Sequence, residues 1–532
     1  MATDKKWKNH VHFIHKLKPM KDSQEFIRKL KAEQKQANYD VVRSIISSMN
    51  STEIRFAKGY LMLLHTSGFE SRFVKLFRYI LRYPTNEETQ AREFFNSDVN
   101  VNFDMIVSDL KHILSWTLIA EYNTQKNGAY SDKWQTLFVV KNNLIIYQVM
   151  LLRELSGGAF DLLNETIVLA KEIEAFREWK EALEYKIRDI QLKSENRKIT
   201  RLNEELDFCT VCENALNEAK KIYYDVGTLQ RKLGHKHDEL LDHCKNSEDT
   251  LNELYQKTKS YSILYFYLFA KANTFQVQRD YVNAGKVLFE LNKIVTESIV
   301  LKTKNNLGRV AISLADNSLY QTHFEVALTY CRNAKSNYVE NTYNFFQAEF
   351  LEFYAYFYSN QFYLAELKLI GILENPKYQE SDFLVNTKKY LLACTYFARE
   401  KYTDALSVLV NIEKIWSDTT GWNVGVRIMI MLCYKMLNNY EFMALERDRF
   451  KALFDKYRHQ TKIAERDKII LKIIREFLKQ NSDFKSIYKR KEKEFKLLIN
   501  KENEWKSMSH EMIVFDQWFI CMMHKSKYRL EI

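Results

Sequence analysis

Apolar residues recur three and four positions apart along most of this chain, the spacing that gathers them on one face of an α-helix. The stretch Leu392-Ala393-Cys394-Thr395-Tyr396 followed by Lys401-Tyr402-Thr403-Asp404-Ala405-Leu406 is the clearest case. Leu392, Ala393 and Tyr396 share a face of one helix, and Tyr402, Ala405, Leu409 and Ile412 share a face of the next. The same unit returns between residues 262 and 450. Tyr281/Ala284, Phe324/Ala327, Phe362/Ala365, Tyr402/Ala405 and Tyr440/Met443 each set an aromatic three residues before a small or flexible side chain. The aromatics stand 43, 38, 40 and 38 residues apart. Nine positions before each aromatic come Ala272, Ala315, Phe353, Ala393 and Met431; six before come Phe275, Ser318, Tyr356, Tyr396 and Tyr434.

The physical reason for such a column is direct. Two antiparallel helices approach closely where facing side chains are small, and aromatics fill the space beside that contact. A period near forty predicts a stacked array of helix pairs. On these residues the stretch resembles the tetratricopeptide repeats, of a type found in large bacterial proteins. Its units run longer than the family's usual 34 residues, and the closing proline is missing from most, with only Pro376 between units. The resemblance implies an α-solenoid with a concave face that binds protein or peptide. In the family register Phe350, Tyr354, Phe357 and Tyr358 approach that face, and Phe269, Asn273, Arg309, Asp316, Tyr320, Tyr390 and Phe397 line adjacent turns. The basic set with which some members clamp a terminal carboxylate is not reproduced here.

The pattern divides the chain into four parts. Residues 1–125 read as an N-terminal helical domain with a basic arm, in which Asn50 and Glu53 form a capping pair for a helix over 51–65. Further helices are expected over 69–82 and 103–122. Residues 126–260 hold a boundary loop at Ser156-Gly157-Gly158, a divergent repeat at Trp179-Lys180-Glu181-Ala182, and a long charged hairpin over 186–258 broken near Gly234. Residues 261–460 are the solenoid. Residues 461–532 are capping helices, the last over 512–523, that cover the final exposed face.

Composition narrows the class to all-α. Gly (12) and Pro (3) are too scarce among 532 residues for the turns of a sandwich or barrel. No apolar run approaches the ~20 residues of a membrane span, because Lys141, Asn142 and Asn143 separate the longest stretches. The start carries no secretory signal, and seven scattered cysteines fit reduced thiols, so a cytoplasmic setting is expected. The net charge of +12 sits at the ends: residues 1–50 hold 11 Lys/Arg against 5 Asp/Glu, and residues 451–532 hold 20 against 12. Basic ends suit nucleic acid or an acidic partner, and equally a solvated helical surface.

Catalytic motifs are missing: no phosphate loop, nucleophile elbow or paired-histidine zinc site is present. Cys209 and Cys212 are neighbours on one helical face, which suits structural thiols. His235, His237, His243 and Cys244, with Asp238, Glu239 and Asp242, form the densest set of potential metal ligands, and a solvated helix start explains them as well. The reading is therefore a non-enzymatic scaffold with no cofactor and no metal, binding a protein or peptide. A nucleic-acid-associated regulator using the basic ends is the alternative.

Overall fold

A computed structural model describes residues 38–531 except 64–71, 96–101, 123–131, 193–195, 234–236, 379–380, 413–420, 458–463, 480–482 and 501–502. Every regular element among these residues is helical. The chain forms two compact units, residues 1–129 and 130–532.

In the smaller unit the helix Ser51–Leu63 begins at a reciprocal capping box. Asn50 Oδ1 accepts from the Glu53 N–H at 3.0 Å, and Glu53 Oε2 accepts from the Asn50 N–H at 2.6 Å. Helices Arg72–Arg82, Glu88–Phe95 and Phe103–Tyr122 follow. Tyr39, Leu61, Phe77, Ile80 and Leu110 are among the side chains of its core.

In the larger unit five helix pairs succeed one another: Tyr261–Val277 with Tyr281–Glu297, Lys304–Tyr320 with Phe324–Asn337, Tyr343–Tyr358 with Phe362–Leu373, Asp382–Ala398 with Tyr402–Val410, and Trp422–Met436 with Tyr440–Tyr457. The five spaced aromatics are the first residues of the five second helices. Ala284, Ala327, Ala365, Ala405 and Met443, one turn on, are all 0% exposed. Their counterparts in the first helices, Ala272, Ala315, Phe353, Ala393 and Met431, are also buried.

One turn geometry closes every pair. Arg279, Thr322, Asn360, Glu400 and Asn438, two residues before each aromatic, have φ between 57° and 63°. The next N–H reaches back five residues: Asp280 to the Phe275 carbonyl (2.8 Å), His323 to Ser318 (2.9 Å), Gln361 to Tyr356 (2.8 Å), Lys401 to Tyr396 (2.9 Å) and Asn439 to Tyr434 (2.9 Å). This is the Schellman arrangement, which satisfies orphan carbonyls at a helix end. Its acceptors are the residues six before each aromatic, so that column of the repeat marks a backbone contact as well as an apolar face. Together these equivalences make the larger unit an array of tetratricopeptide-like helix pairs.

The same turn places the earlier repeat differently from its expected register. Glu174 is left-handed (φ 53°), and Ala175 N–H bonds to the Ala170 carbonyl at 2.8 Å. Phe176 therefore opens the second helix of a pair formed by Ser156–Glu172 and Phe176–Leu192, and buried Trp179 stands where later pairs hold alanine. Ser156-Gly157-Gly158 is not a loop but the first turn of that pair. A Cβ on Gly158 would come within 2.8 Å of the Met150 methyl, the mobile end of that side chain. The hairpin consists of Asn196–Leu233 and His237–Thr258, and Gly234 lies outside the described residues. The helix Asp132–Leu152 has the length and mean hydropathy of a membrane span, contrary to the reading from its interrupted apolar runs. It buries Val140, Leu144 and Tyr147, and Tyr147 donates to Asp189 at 2.9 Å.

The last part holds helices Glu465–Ile474, Phe484–Arg490, Glu492–Ile499 and Phe515–Met523, the last shorter than expected because residues 505–514 run as a non-helical strap. Buried Arg466 organises that strap. Its guanidinium donates to the Leu498 and Asn503 carbonyls (2.7 and 2.9 Å), to both Glu511 oxygens (2.5 and 2.9 Å) and to Asp516 (2.6 Å). A planar fork of donors meets this arrangement; an ammonium would not.

Two substitutions test the repeat geometry. Ala365→Leu forces bulk into a closed helix crossing and is expected to lower stability by about 1–3 kcal/mol. Thr322 is exposed yet β-branched at φ 61°, so Thr322→Gly is expected to raise stability by about 1 kcal/mol. Urea unfolding of both variants measures each change.

Candidate functional site

The first helices of the first four pairs carry all eleven residues expected on the binding face. The structure separates them into two groups.

Towards the third, fourth and fifth pairs they are buried. Tyr354 (4% exposed), Phe357 (0%), Tyr358 (2%), Tyr390 (1%) and Phe397 (2%) do not line an open groove. What closes it is the chain itself, through residues 505–530. Tyr358 accepts a hydrogen bond from the Met508 N–H at 2.5 Å, and the Trp505 ring meets it edge-on at 5.7 Å. Tyr390 donates to the His510 carbonyl at 2.6 Å. Gly425 permits that approach: a Cβ there would stand 2.7 Å from the Tyr390 hydroxyl and 3.0 Å from the His510 carbonyl. His510 is fixed in turn by Asp467 at 3.0 Å, and Trp518 packs against Phe397 with ring centres 5.8 Å apart. Phe350 is half-buried, with the Lys388 ammonium 4.5 Å above its ring.

Beyond Met523 the chain leaves the helix and alternates. Tyr528 and Leu530 are buried, while Lys527, Arg529 and Glu531 are exposed, the period of two of an extended strand. Asn360, the left-handed turn residue of the third pair, holds Leu530 by its backbone from both sides: its amide donates to the Leu530 carbonyl at 3.0 Å, and its Oδ1 accepts the Leu530 N–H at 2.7 Å. Gln517 does the same to Glu531, at 2.5 and 2.9 Å. The Tyr528 ring stacks on Phe362 at 6.0 Å, and its hydroxyl accepts the Val514 N–H at 3.1 Å. Sequence reasoning missed Asn360, Gln517, Gly425 and Arg466. A left-handed asparagine before a helix-opening aromatic and a Tyr-x-Leu alternation were the available signals.

Towards the first and second pairs the residues are more open. Asn273, Arg309, Asp316 and Tyr320 are half-buried. Tyr320 stacks on Tyr281 with centres 4.6 Å apart and planes 1° from parallel. Arg309 lies over the Tyr223 ring at 5.6 Å. Phe269, by contrast, is buried edge-on against Tyr265 at 4.9 Å and belongs to the core facing the long hairpin. Asp316 has no ion-pair partner among the described residues, and burial pushes its carboxyl up to about 6.

Cys209 is buried and donates to the Phe176 carbonyl at 3.1 Å; burial pushes its thiol up to about 12 and that of Cys212 to about 11. No metal-holding group of His, Cys, Asp and Glu is present among the described residues. Cys244 is buried and His243 exposed, while His235 and the side chain of His237 lie outside the described residues. Among the basic residues of the last part, Arg466 is enclosed by acids, and Lys479, Arg490 and Lys491 gather around Glu476.

No family model and no curated protein matches the chain. Among solved structures it is similar to the apo form of RapI, with a TM-score of 0.40 and 13% identity over 68% of this chain and 86% of that one. It is also similar to a signal-transduction ATPase with numerous domains that carries a tetratricopeptide repeat sensor, from Pyrococcus horikoshii, with a TM-score of 0.34 and 12% identity over 77% of this chain and 65% of that one.

Proposed function

We propose that this chain is a non-enzymatic scaffold whose first-helix face takes an extended segment of a protein or peptide. The observation that carries the reading is the way the turn of the third pair, just past the end of the first helix Tyr343–Tyr358, already holds residues 528–531. Side-chain amides of Asn360 and Gln517 grip the backbone, and Tyr528 and Leu530 are buried in alternation. Backbone pairing supplies affinity and alternate side chains supply selectivity, as in other extended-peptide sites. Asn273, Arg309, Asp316 and Tyr320 continue the face where residues 505–530 do not cover it, and the unpaired carboxylate of Asp316 favours a basic side chain in the occupant.

A truncated chain lacking residues 524–532, offered a fluorescent peptide of that sequence, is expected to bind it saturably. Asn360→Ala in the truncated chain is expected to weaken binding at least tenfold, about 1.4 kcal/mol. Anisotropy titration measures both, and no binding by a truncated chain of unchanged helical content counts against the reading.

A second prediction concerns Asp316. Its raised carboxyl pKa means that the folded state holds the proton more tightly than the unfolded chain does. The stabilising contribution is therefore complete below about pH 4 and is lost as pH rises through about 6. Asp316→Asn is expected to raise stability at pH 7.5 by about 2 kcal/mol, the shift discounted for the solvent that still reaches the group, and to leave it unchanged near pH 4. Urea unfolding at the two pH values tests this.

A further inference from the structure

A cavity of about 540 Å³ opens in the larger unit, lined by none of residues 505–530 and within the range of small-molecule sites. Four parts of the unit wall it. Lys133 comes from the helix Asp132–Leu152, residues 173–178 from the turn that opens the Phe176–Leu192 helix, Lys220 from the long hairpin, and Tyr265 and Phe266 from the first helix of the array. Three acids and three cations line it, and their situations differ.

The acids are all engaged. Glu174 accepts from the Ser260 hydroxyl (2.7 Å), the Tyr261 N–H (2.6 Å) and the Ser262 N–H (2.9 Å), so it caps the Tyr261–Val277 helix from 86 residues or more upstream. Glu178 pairs with Lys141 at 3.5 Å and Glu213 with Lys180 at 3.8 Å, both cations lying outside the cavity lining. The lysines are not engaged. Among the described residues no carboxylate lies within ion-pair distance of Lys133 or Lys220. Lys133 is half-buried and Lys220 exposed. Burial above all, with repulsion from Lys220, lowers the Lys133 pKa, and Glu174 offsets this in part.

Two like charges facing one cavity, one of them half-buried, destabilise a fold unless a counter-charge joins them. Beside them the lining is mixed, and Phe176, Tyr265 and Phe266 supply its aromatic part. We propose that this cavity binds a small organic anion, its phosphate or carboxylate between Lys133 and Lys220 and its apolar body along Phe176, Tyr265 and Phe266.

The probes are naphthyl phosphate, naphthoate and naphthylmethylammonium, titrated into the full chain by calorimetry at low and moderate salt. Saturable binding of either anion, weakened by salt and absent for the ammonium, is expected; a tenfold preference between the two anions assigns the head group. Lys133→Met with Lys220→Met is expected to lower anion affinity at least tenfold. Without ligand that double variant should melt no lower than the unaltered chain, since it removes two uncompensated charges, an outcome that a structural role for the lysines would reverse. Lys220→Ala, at the exposed lysine, gives the same affinity test if the double variant does not fold. Equal binding of the ammonium, unchanged affinity in the variants, or no saturation at millimolar anion overturns the proposal.

Discussion

Two helices come no closer than the bulkiest side chain at their crossing permits, and this limit governs the larger unit. Ala284, Ala327, Ala365 and Ala405 lie fully enclosed, one turn into successive second helices. Each small residue works with a left-handed residue five positions upstream of it, so the approach and the reversal of the chain are set together. Met443 holds the same place in the fifth pair, where a flexible thioether fits what alanine fits elsewhere. The first helices that result carry more aromatic surface than their own second helices can cover, and the rest of the unit answers that surplus.

Residues 505–530 are that answer. The strap is laid down by one buried guanidinium, Arg466, which gathers two carbonyls and two carboxylates from separate parts of the chain. With Glu511 and Asp516 held, Trp505, His510 and Trp518 reach Tyr358, Tyr390 and Phe397. A cap that covers the end of a repeat array needs no such length. This one runs back along three pairs and binds partly through backbone amides, which is how an exchangeable occupant is held as well as a permanent one.

The array was legible in the sequence because helix crossings impose local, periodic demands. Aromatic, small residue and carbonyl acceptor stand within fifteen positions of one another in every unit. The capping box at Asn50 and Glu53 was legible for the same reason. The site was less so. Burial of Tyr358, Tyr390 and Phe397 depends on a segment about 120 to 150 residues away, and Asn360 grips a peptide backbone that any residue would present. The glycines at 157 and 158 misled because a glycine pair suits a loop, yet here both stand in the first turn of a helix. Trp179 misled because its alanine neighbour copied the spacing of the array in the wrong register.

The separation between Asn360 and Leu530 has a consequence during synthesis. The two residues are 170 positions apart, so at ribosomal rates of about 5–20 residues per second the third pair emerges on the order of ten to thirty seconds before its covering strand exists. Through that interval Tyr358 and Phe362 lack the partners that residues 505–530 later give them, an adhesive surface that a chaperone or another newly made segment would meet first.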